Sequence, residues 1–167
     1  QKNQMVTGLK EAGMKILVID DSAFERRVLK SIIEKDGHEV IDAKDGQEGL
    51  EKAKARAPDI VITDILMPNV DGFHFLRNMK KDKGLRSIPV IVYSGVYEGG
   101  EDRDLALALG AESYISKPES PAGLWESIKL LLDTIKTKKQ FTECCLVEDD
   151  ELFLRNYGQI VATRLES

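Results

Sequence analysis

The sequence has few features of secreted, membrane-spanning or disulfide-stabilised proteins. Its two cysteines, Cys144 and Cys145, are adjacent, which gives neither a disulfide framework nor metal-ligand spacing. No apolar run approaches the ~20 residues that a bilayer-spanning helix needs. Residues 1–15 also lack the apolar core of a secretory signal. A cytoplasmic protein without membrane contact is therefore expected.

An excess of basic residues is also missing. The formal net charge is −5, whereas nucleic-acid surfaces are normally basic, so no direct nucleic-acid binding by this segment is expected. Hydrophobic residues make up 42% and charged residues 32%, which is typical of a globular domain. The length of 167 residues suggests one domain plus a remainder. The first residue is Gln1 rather than methionine, which fits an excerpt or a processed product.

Hydrophobic periodicity predicts strands that alternate with helices. The predicted strands are 15–20, 38–43, 59–64, 88–95 and 112–118, and the predicted helices are 22–37, 45–57, 72–82, 101–110 and 120–136. The first, third and fourth strands are nearly continuous apolar runs, as in parallel strands covered on both faces. Right-handed crossovers then predict an α/β fold with a doubly wound, five-stranded parallel sheet.

Residues that favour helix ends support these boundaries. Gly37 suits the left-handed end of the first helix, and Gly110 ends the fourth. Asp45, with Glu48 three residues later, predicts a capping box at the start of the second helix. Ser120 precedes a proline and is expected to cap the last helix.

Polar side chains follow the predicted strands at their carboxyl ends, which is where ligands bind in doubly wound sheets. Asp20 and Asp21 end the first strand, Asp64 the third, Ser94 the fourth and Lys117 the fifth. Taken alone, each has another interpretation. Asp21 could cap a helix, Asp64 could be a cap or turn residue, and Ser94 could be a turn residue. Lys117 could be a surface lysine, but the joint occurrence at one edge favours a common site.

The charges at this edge predict phosphoryl chemistry. Clustered carboxylates repel one another unless a cation joins them. Hard oxygen ligands with room for water suit Mg²⁺, and Lys117 adds a second positive charge. Together these groups would neutralise phosphoryl oxygens, and a carboxylate nucleophile would form an aspartyl phosphate.

These motifs resemble the response regulator receiver domain of two-component signalling. Asp20-Asp21, Asp64 in "DILMPNVDG", Ser94 and "SKP" at 116–118 occur in the order found in that family. The resemblance implies a chemotaxis-regulator-like, flavodoxin-like (βα)5 fold. It divides the chain into an N-terminal tail (1–13), a receiver domain (14–137) and a remainder (138–167).

The resemblance also implies how the acids act. Asp64 would accept phosphate from a histidine kinase or a phosphotransfer protein. Asp21, Asp64 and the Leu66 carbonyl would bind Mg²⁺, or Mn²⁺ or Ca²⁺ in its place, while Asp20 would act largely through water. The domain would be a phosphoacceptor that catalyses only its own phosphorylation and dephosphorylation, rather than an enzyme with other substrates.

Three further residues take roles from the resemblance. Lys117 would pair with the phosphoryl group, and its bond to Pro118 would be cis. Ser94 would donate a hydrogen bond to the phosphoryl group, and Tyr114 would be the aromatic switch residue. The face formed by the fourth helix, fifth strand and fifth helix would then change and control a partner or a downstream domain.

Three alternatives share parts of this pattern. A flavodoxin-type flavin protein has the same sheet but needs a hydroxyl- and glycine-rich phosphate loop, where this chain has "DDSAFER". A phosphatase with an aspartate nucleophile on the first strand usually has Asp-x-Asp, which is absent. A degenerate receiver that serves only for docking would be expected to lack an acid or the lysine, and none is missing.

The remainder contains a partial internal repeat. "LVIDDSAFERRVLKSII" (17–33) aligns without gaps with "LVEDDELFLRNYGQIVA" (146–162), so that Asp149 and Asp150 match Asp20 and Asp21. We interpret 138–167 as a linker and the truncated start of a second receiver, a C-terminal β–α extension, with a bare linker helix as the alternative. Its apolar residues could be disordered, pack on the first receiver or pair with another chain, and the open edge of its strand favours a homodimer through this segment.

Overall fold

The protein is described by a computed structural model, which covers residues 13–65, 67, 69–94, 100–116 and 120–138. The strands are β1 (Lys15–Ile19), β2 (Glu39–Ala43), β3 (Ile60–Thr63), β4 (Val90–Ser94) and β5 (Ser113–Ser116). The helices are α1 (Ala23–Lys35), α2 (Gly46–Arg56), α3 (Gly72–Lys81), α4 (Glu101–Ala108) and α5 (Pro121–Lys138). Within this part of the chain, none of the helices has the length and apolar character needed to cross a membrane.

The five strands form one parallel sheet in the order β2-β1-β3-β4-β5. This confirms the predicted doubly wound α/β fold. In the register, Ile19 pairs with Thr63, and Thr63 pairs with Val92. The carboxyl ends of β1, β3 and β4 therefore lie side by side at one edge of the sheet.

Helices cover both faces of the sheet, because successive strand residues point to opposite sides. Leu17 and Ile19 of β1 pack in a buried cluster with residues of α2, α3 and α4. Ile16 and Val18 pack in a second cluster with residues of α1 and α5, including Trp125. Two-sided burial explains why these strands appear in the sequence as continuous apolar runs.

The predicted helix ends are largely confirmed. Gly37 and Gly110 have φ values of +91° and +105°, the left-handed conformation expected of them. Ser22, not Asp21, caps α1, because the Ser22 hydroxyl accepts a hydrogen bond from the Glu25 backbone N–H at 3.2 Å. The interpretation of Asp21 as a helix cap is therefore wrong.

Two local predictions differ in detail. The Asp45 carboxylate accepts from the Glu48 N–H as expected, but the Glu48 carboxylate accepts from the Lys44 N–H instead of closing the capping box on residue 45. The fourth strand begins at Val90 and not at residue 88. Pro89 precedes it and has no backbone N–H to donate to the sheet. Its carbonyl accepts a hydrogen bond from the Val61 N–H at 3.0 Å.

The terminal segments 1–12 and 139–167 lie outside the described residues. The domain limits, the second receiver and the C-terminal extension therefore stay predictions.

We expect Gly72→Ala to destabilise the protein by roughly 1–3 kcal/mol, the usual cost of an extra methyl group in a packed site. A Cβ at Gly72 would lie 2.3 Å from the Asp64 carbonyl oxygen and 2.8 Å from the Ile65 Cα, and these backbone atoms cannot turn away as a side chain can. Urea unfolding measures the difference in the free energy of unfolding.

Gly84→Ala is the matched control. Its Cβ would meet a flexible carboxylate oxygen of Asp82 at 3.3 Å, so a change below about 0.5 kcal/mol is expected. Equal losses at the two positions would contradict the steric explanation.

Candidate functional site

Three carboxylates meet at the carboxyl edge of the sheet. Asp20, Asp21 and Asp64 each offer an oxygen, and these oxygens lie within 4.8 Å of one another. Asp20 is fully buried and Asp64 is 7% exposed, whereas Asp21 is exposed. The cluster is thus shielded from solvent at Asp20 and Asp64, where it meets the sheet, and accessible to solvent at Asp21. The structure brings together the three acids that the sequence predicts.

The backbone of the sheet fixes the two buried acids. Asp20 N donates to the Ala43 carbonyl at 3.1 Å, and Asp64 N donates to the Ile19 carbonyl at 3.0 Å. Both bonds continue the parallel ladder by one residue beyond the strands. The acids are therefore positioned by strand pairing rather than by the loops that follow.

Neutral donors hold the Asp20 carboxylate. Its Oδ1 accepts from the Ser22 backbone N–H at 2.8 Å, and its Oδ2 accepts from the Tyr93 hydroxyl at 2.5 Å. Burial, followed by the nearby charge of Asp20, raises the pKa of Tyr93 well above its usual value. The Tyr93 hydroxyl is therefore protonated at neutral pH and acts as the donor.

Asp64 is oriented by its own neighbours in the chain. Its Oδ1 accepts from the Ile65 backbone N–H at 2.6 Å, and its carbonyl accepts from the Thr63 hydroxyl at 2.8 Å. Asp64 does not cap the following helix, because Asp71 does so by accepting from the His74 backbone N–H at 3.0 Å. The helix-cap interpretation of Asp64 is wrong.

The loop after Asp64 is anchored to the start of α2. Asn69 has a left-handed backbone, with φ of +67°, and its amide donates to the Asp45 Oδ2 at 2.9 Å. Gly46 N donates to the Val70 carbonyl at 2.8 Å. The buried Asp45 carboxylate thus caps a helix with one oxygen and holds this loop with the other.

Ser94 and Tyr114 lie on the same face of the sheet. Ser94 ends β4 and is 2% exposed. Val92 pairs with Tyr114, and Ser94 pairs with Ser116, so Ser94 and Tyr114 are diagonal neighbours on adjacent strands. Tyr114 packs on the cluster formed by α2, α3 and α4, and its hydroxyl donates to the Asp102 carboxylate in the first turn of α4.

Some expected site residues lie outside the described part of the chain. These are Leu66, Lys117 and Pro118, so the carbonyl ligand, the phosphoryl-pairing cation and the cis bond stay predictions. Sequence reasoning missed Tyr93 and Asp102. For Tyr93 a signal existed, namely a hydroxyl in an otherwise apolar strand next to Ser94.

The acidic cluster fits a hard divalent cation. Its donors are carboxylate oxygens, and exposed Asp21 leaves room for water ligands, which Mg²⁺ usually keeps. The carboxylates repel one another, and a cation would remove that repulsion. The arrangement can therefore hold a metal ion beside a carboxylate nucleophile.

Comparison with known proteins gives a consistent result. The family model described as the response regulator receiver domain matches residues 16–129. Protein PilH of Pseudomonas aeruginosa is 35% identical over 118 residues, which cover 71% of this chain and 97% of that protein. The protein-glutamate methylesterase/protein-glutamine glutaminase of Halalkalibacterium halodurans is 40% identical over 116 residues, which cover 68% of this chain but 33% of that enzyme.

Solved structures agree. A response regulator receiver domain protein (CheY-like) from Methanospirillum hungatei superposes with a TM-score of 0.68 at 31% identity, covering 76% of this chain and 99% of the other. This chain spans 33% to 50% of several curated relatives. The similarity to those longer proteins concerns one of their domains. The family match and the structural similarity favour the receiver interpretation over the flavin-protein and phosphatase alternatives.

We expect Asp45→Asn to lower the free energy of unfolding by roughly 1 kcal/mol at pH 7, because neutral hydrogen bonds replace charge-assisted ones. Hydrogen bonding from the Glu48 N–H, with a further bond from Asn69, holds the pKa of Asp45 below its usual value. A lowered folded pKa stabilises the protein above the unfolded pKa of about 3.9, and this contribution is lost as the pH falls through the folded pKa. The difference from wild type should therefore shrink below about pH 4.

Urea unfolding at pH 7 and pH 3 measures this effect. Asp104→Asn, which changes an exposed acid in α4, serves as the control and should change stability by less than about 0.5 kcal/mol at pH 7. A difference between wild type and Asp45→Asn that is the same at both pH values would refute the role of the charge.

Proposed function

The chain belongs to the response regulator receiver domain family, and we propose that it is a phosphorylation-controlled switch whose phosphoacceptor is Asp64. Receiver domains are the regulatory phosphoacceptor domains of two-component systems. The observation that carries the proposal is the position of Asp64, at the end of the central strand β3 and within 4.8 Å of the oxygens of two other acids.

The transfer is a displacement at phosphorus. A carboxylate oxygen of Asp64 forms the new bond to phosphorus while the bond from phosphorus to the donor's leaving atom breaks. The leaving group departs with the electron pair. It is an imidazole when the donor is the phosphohistidine of a histidine kinase or a phosphotransfer protein. The Ile65 N–H, 2.6 Å from Asp64 Oδ1, keeps the nucleophile in one orientation.

Asp21, Asp64 and the Leu66 carbonyl are the proposed ligands of Mg²⁺, with Mn²⁺ or Ca²⁺ as substitutes. Asp20, held by two protein donors, is proposed to accept hydrogen bonds from water in the metal's shell. Bound Mg²⁺ supplies positive charge that offsets the phosphoryl oxygens. Lys117 is the proposed second cation, paired with the phosphoryl group.

The output is proposed to be a change in the face formed by α4, β5 and α5, which controls a partner or a downstream domain. Ser94 and Tyr114 support this proposal because they are diagonal neighbours on one face. The Asp102 carboxylate holds the Tyr114 hydroxyl at α4. Drawing the Ser94 hydroxyl towards a phosphate would vacate space for the Tyr114 ring and shift the population of conformers. A homodimer through the C-terminal remainder (138–167) stays a separate prediction.

We expect acetyl phosphate with Mg²⁺ to add one phosphate to the protein, detected as a single mass increment by intact-mass spectrometry. Asp64→Asn should show no increment, because the amide is not a nucleophile of this kind. Chelation of Mg²⁺ should abolish the reaction, since the acids would then repel the incoming phosphate.

Asp59→Asn is the control for this prediction, because Asp59 precedes the opposite end of the same strand. It should be phosphorylated like the wild type. A phosphate that persists on Asp64→Asn would show that another residue is the acceptor.

The switch makes a structural prediction. A phosphate mimic bound at Asp64 should change the rotamers of Ser94 and Tyr114 and break the Tyr114–Asp102 hydrogen bond. Crystal structures with and without the mimic measure this. In Ser94→Ala, the mimic should leave the Tyr114–Asp102 hydrogen bond intact, because the Ser94 hydroxyl that couples the phosphate to Tyr114 is gone. Unchanged rotamers in the wild-type pair would exclude this coupling.

A further inference from the structure

We propose that Tyr93 is a positioning residue for the metal site: its hydroxyl holds the Asp20 carboxylate in the orientation in which it accepts hydrogen bonds from water bound to Mg²⁺. The proposal rests on the proposed function of the acidic cluster, and it adds to that function a residue of β4, a strand that carries none of the three acids. Tyr93 does not itself offer a ligand to the metal, so its effect acts through Asp20.

The first support is the path of the hydrogen bond. Tyr93 belongs to β4 and Asp20 follows β1, and β3 lies between these strands in the sheet. The Tyr93 hydroxyl nevertheless reaches Asp20 Oδ2 at 2.5 Å. The tyrosine side chain therefore passes across the end of the central strand that carries Asp64.

The second support is the way in which the Asp20 carboxylate is held. Ser22 N donates to Oδ1 from the backbone that begins α1, and Tyr93 donates to Oδ2 from the sheet. Two donors on separate elements fix both the plane of the carboxylate and its rotamer. Each carboxylate oxygen can accept more than one hydrogen bond, so these bonds are compatible with water bound to a metal.

The third support is the packing of the ring. Tyr93 is 2% exposed and lies in the buried cluster of α1 and α5 with Leu29, Leu124 and Trp125. Its neighbours restrict the ring, although a cavity of about 240 Å³ between α1 and α5 borders it. A phenylalanine would satisfy this apolar environment equally well. The hydroxyl is the part of the side chain that acts on the acidic site.

The test is Tyr93→Phe, which removes the hydroxyl and keeps the ring. Calorimetric titration with Mg²⁺ alone measures the Kd for Mg²⁺. This Kd should rise roughly tenfold, which is the lower end of the usual loss of metal affinity when a residue that orients a metal ligand is changed. Ser31→Ala is the control. It removes an exposed hydroxyl of α1, outside the acidic cluster and the proposed switch, and should leave the Kd for Mg²⁺ unchanged.

A positioning role predicts two further results. In an Asp20→Asn background, Tyr93→Phe should cause no additional loss of Mg²⁺ affinity, because the carboxylate it acts on is gone. At saturating Mg²⁺, the phosphorylation rate of Tyr93→Phe should return towards the wild-type rate. A purely structural role would lower stability without this dependence on Mg²⁺ concentration.

An unchanged or tighter Kd in Tyr93→Phe would overturn the proposal. If this variant does not fold, the Tyr93 ring can be followed by NMR in protein with its other three tyrosines replaced by phenylalanine. Its Cζ signal should then shift in step with Mg²⁺ binding, and a signal unaffected by Mg²⁺ would equally overturn the proposal. Failure of wild-type protein to accept phosphate would instead refute the proposed function, while the Mg²⁺ titrations would still decide the role of Tyr93.

Discussion

Two backbone hydrogen bonds, which extend the sheet by one residue, hold the acidic cluster in place. Asp20 N binds the Ala43 carbonyl, and Asp64 N binds the Ile19 carbonyl, at 3.1 and 3.0 Å. Since the ladder fixes the direction of each Cα–Cβ bond, the register of β1, β2 and β3 decides that the carboxylates converge. The register depends in turn on two apolar layers, which require every strand to keep its side chains on the correct face.

The cluster combines hydrogen-bonded carboxylates with negative charges that lie close together. Burying a carboxylate is costly unless donors reach it, and Ser22 N, Ile65 N and the Tyr93 hydroxyl do so for the buried acids. These donors are neutral. They offset desolvation but carry no positive charge themselves. A divalent cation bound among the carboxylates would lower the repulsion between them.

The parts of the site that follow from strand position could be predicted from the sequence, and the parts that depend on side-chain reach could not. Asp20 and Asp64 end apolar runs, so parallel pairing alone places them at one edge. The Tyr93–Asp20 contact joins residues 73 apart in the chain and crosses an intervening strand. No periodicity encodes such a contact. Asp21 and Ser22 both suit a helix cap, and only the backbone geometry decides between them.

Tyr93 and Ser94 are consecutive in β4, so their side chains lie on opposite faces of the sheet, and the two faces differ in what they contribute to the site. Tyr93 points into the α1 and α5 layer, where its ring is buried and its hydroxyl is held by Asp20. By strand alternation, Ser94 points to the other layer, where half-buried Tyr114 is tied to Asp102 of α4. A rotation of Tyr93 would disturb its hydrogen bond to Asp20 in the acidic cluster, whereas a rotation of Tyr114 would disturb its hydrogen bond to Asp102 of α4. The first layer is therefore suited to hold the site rigid, and the second to respond when the site changes.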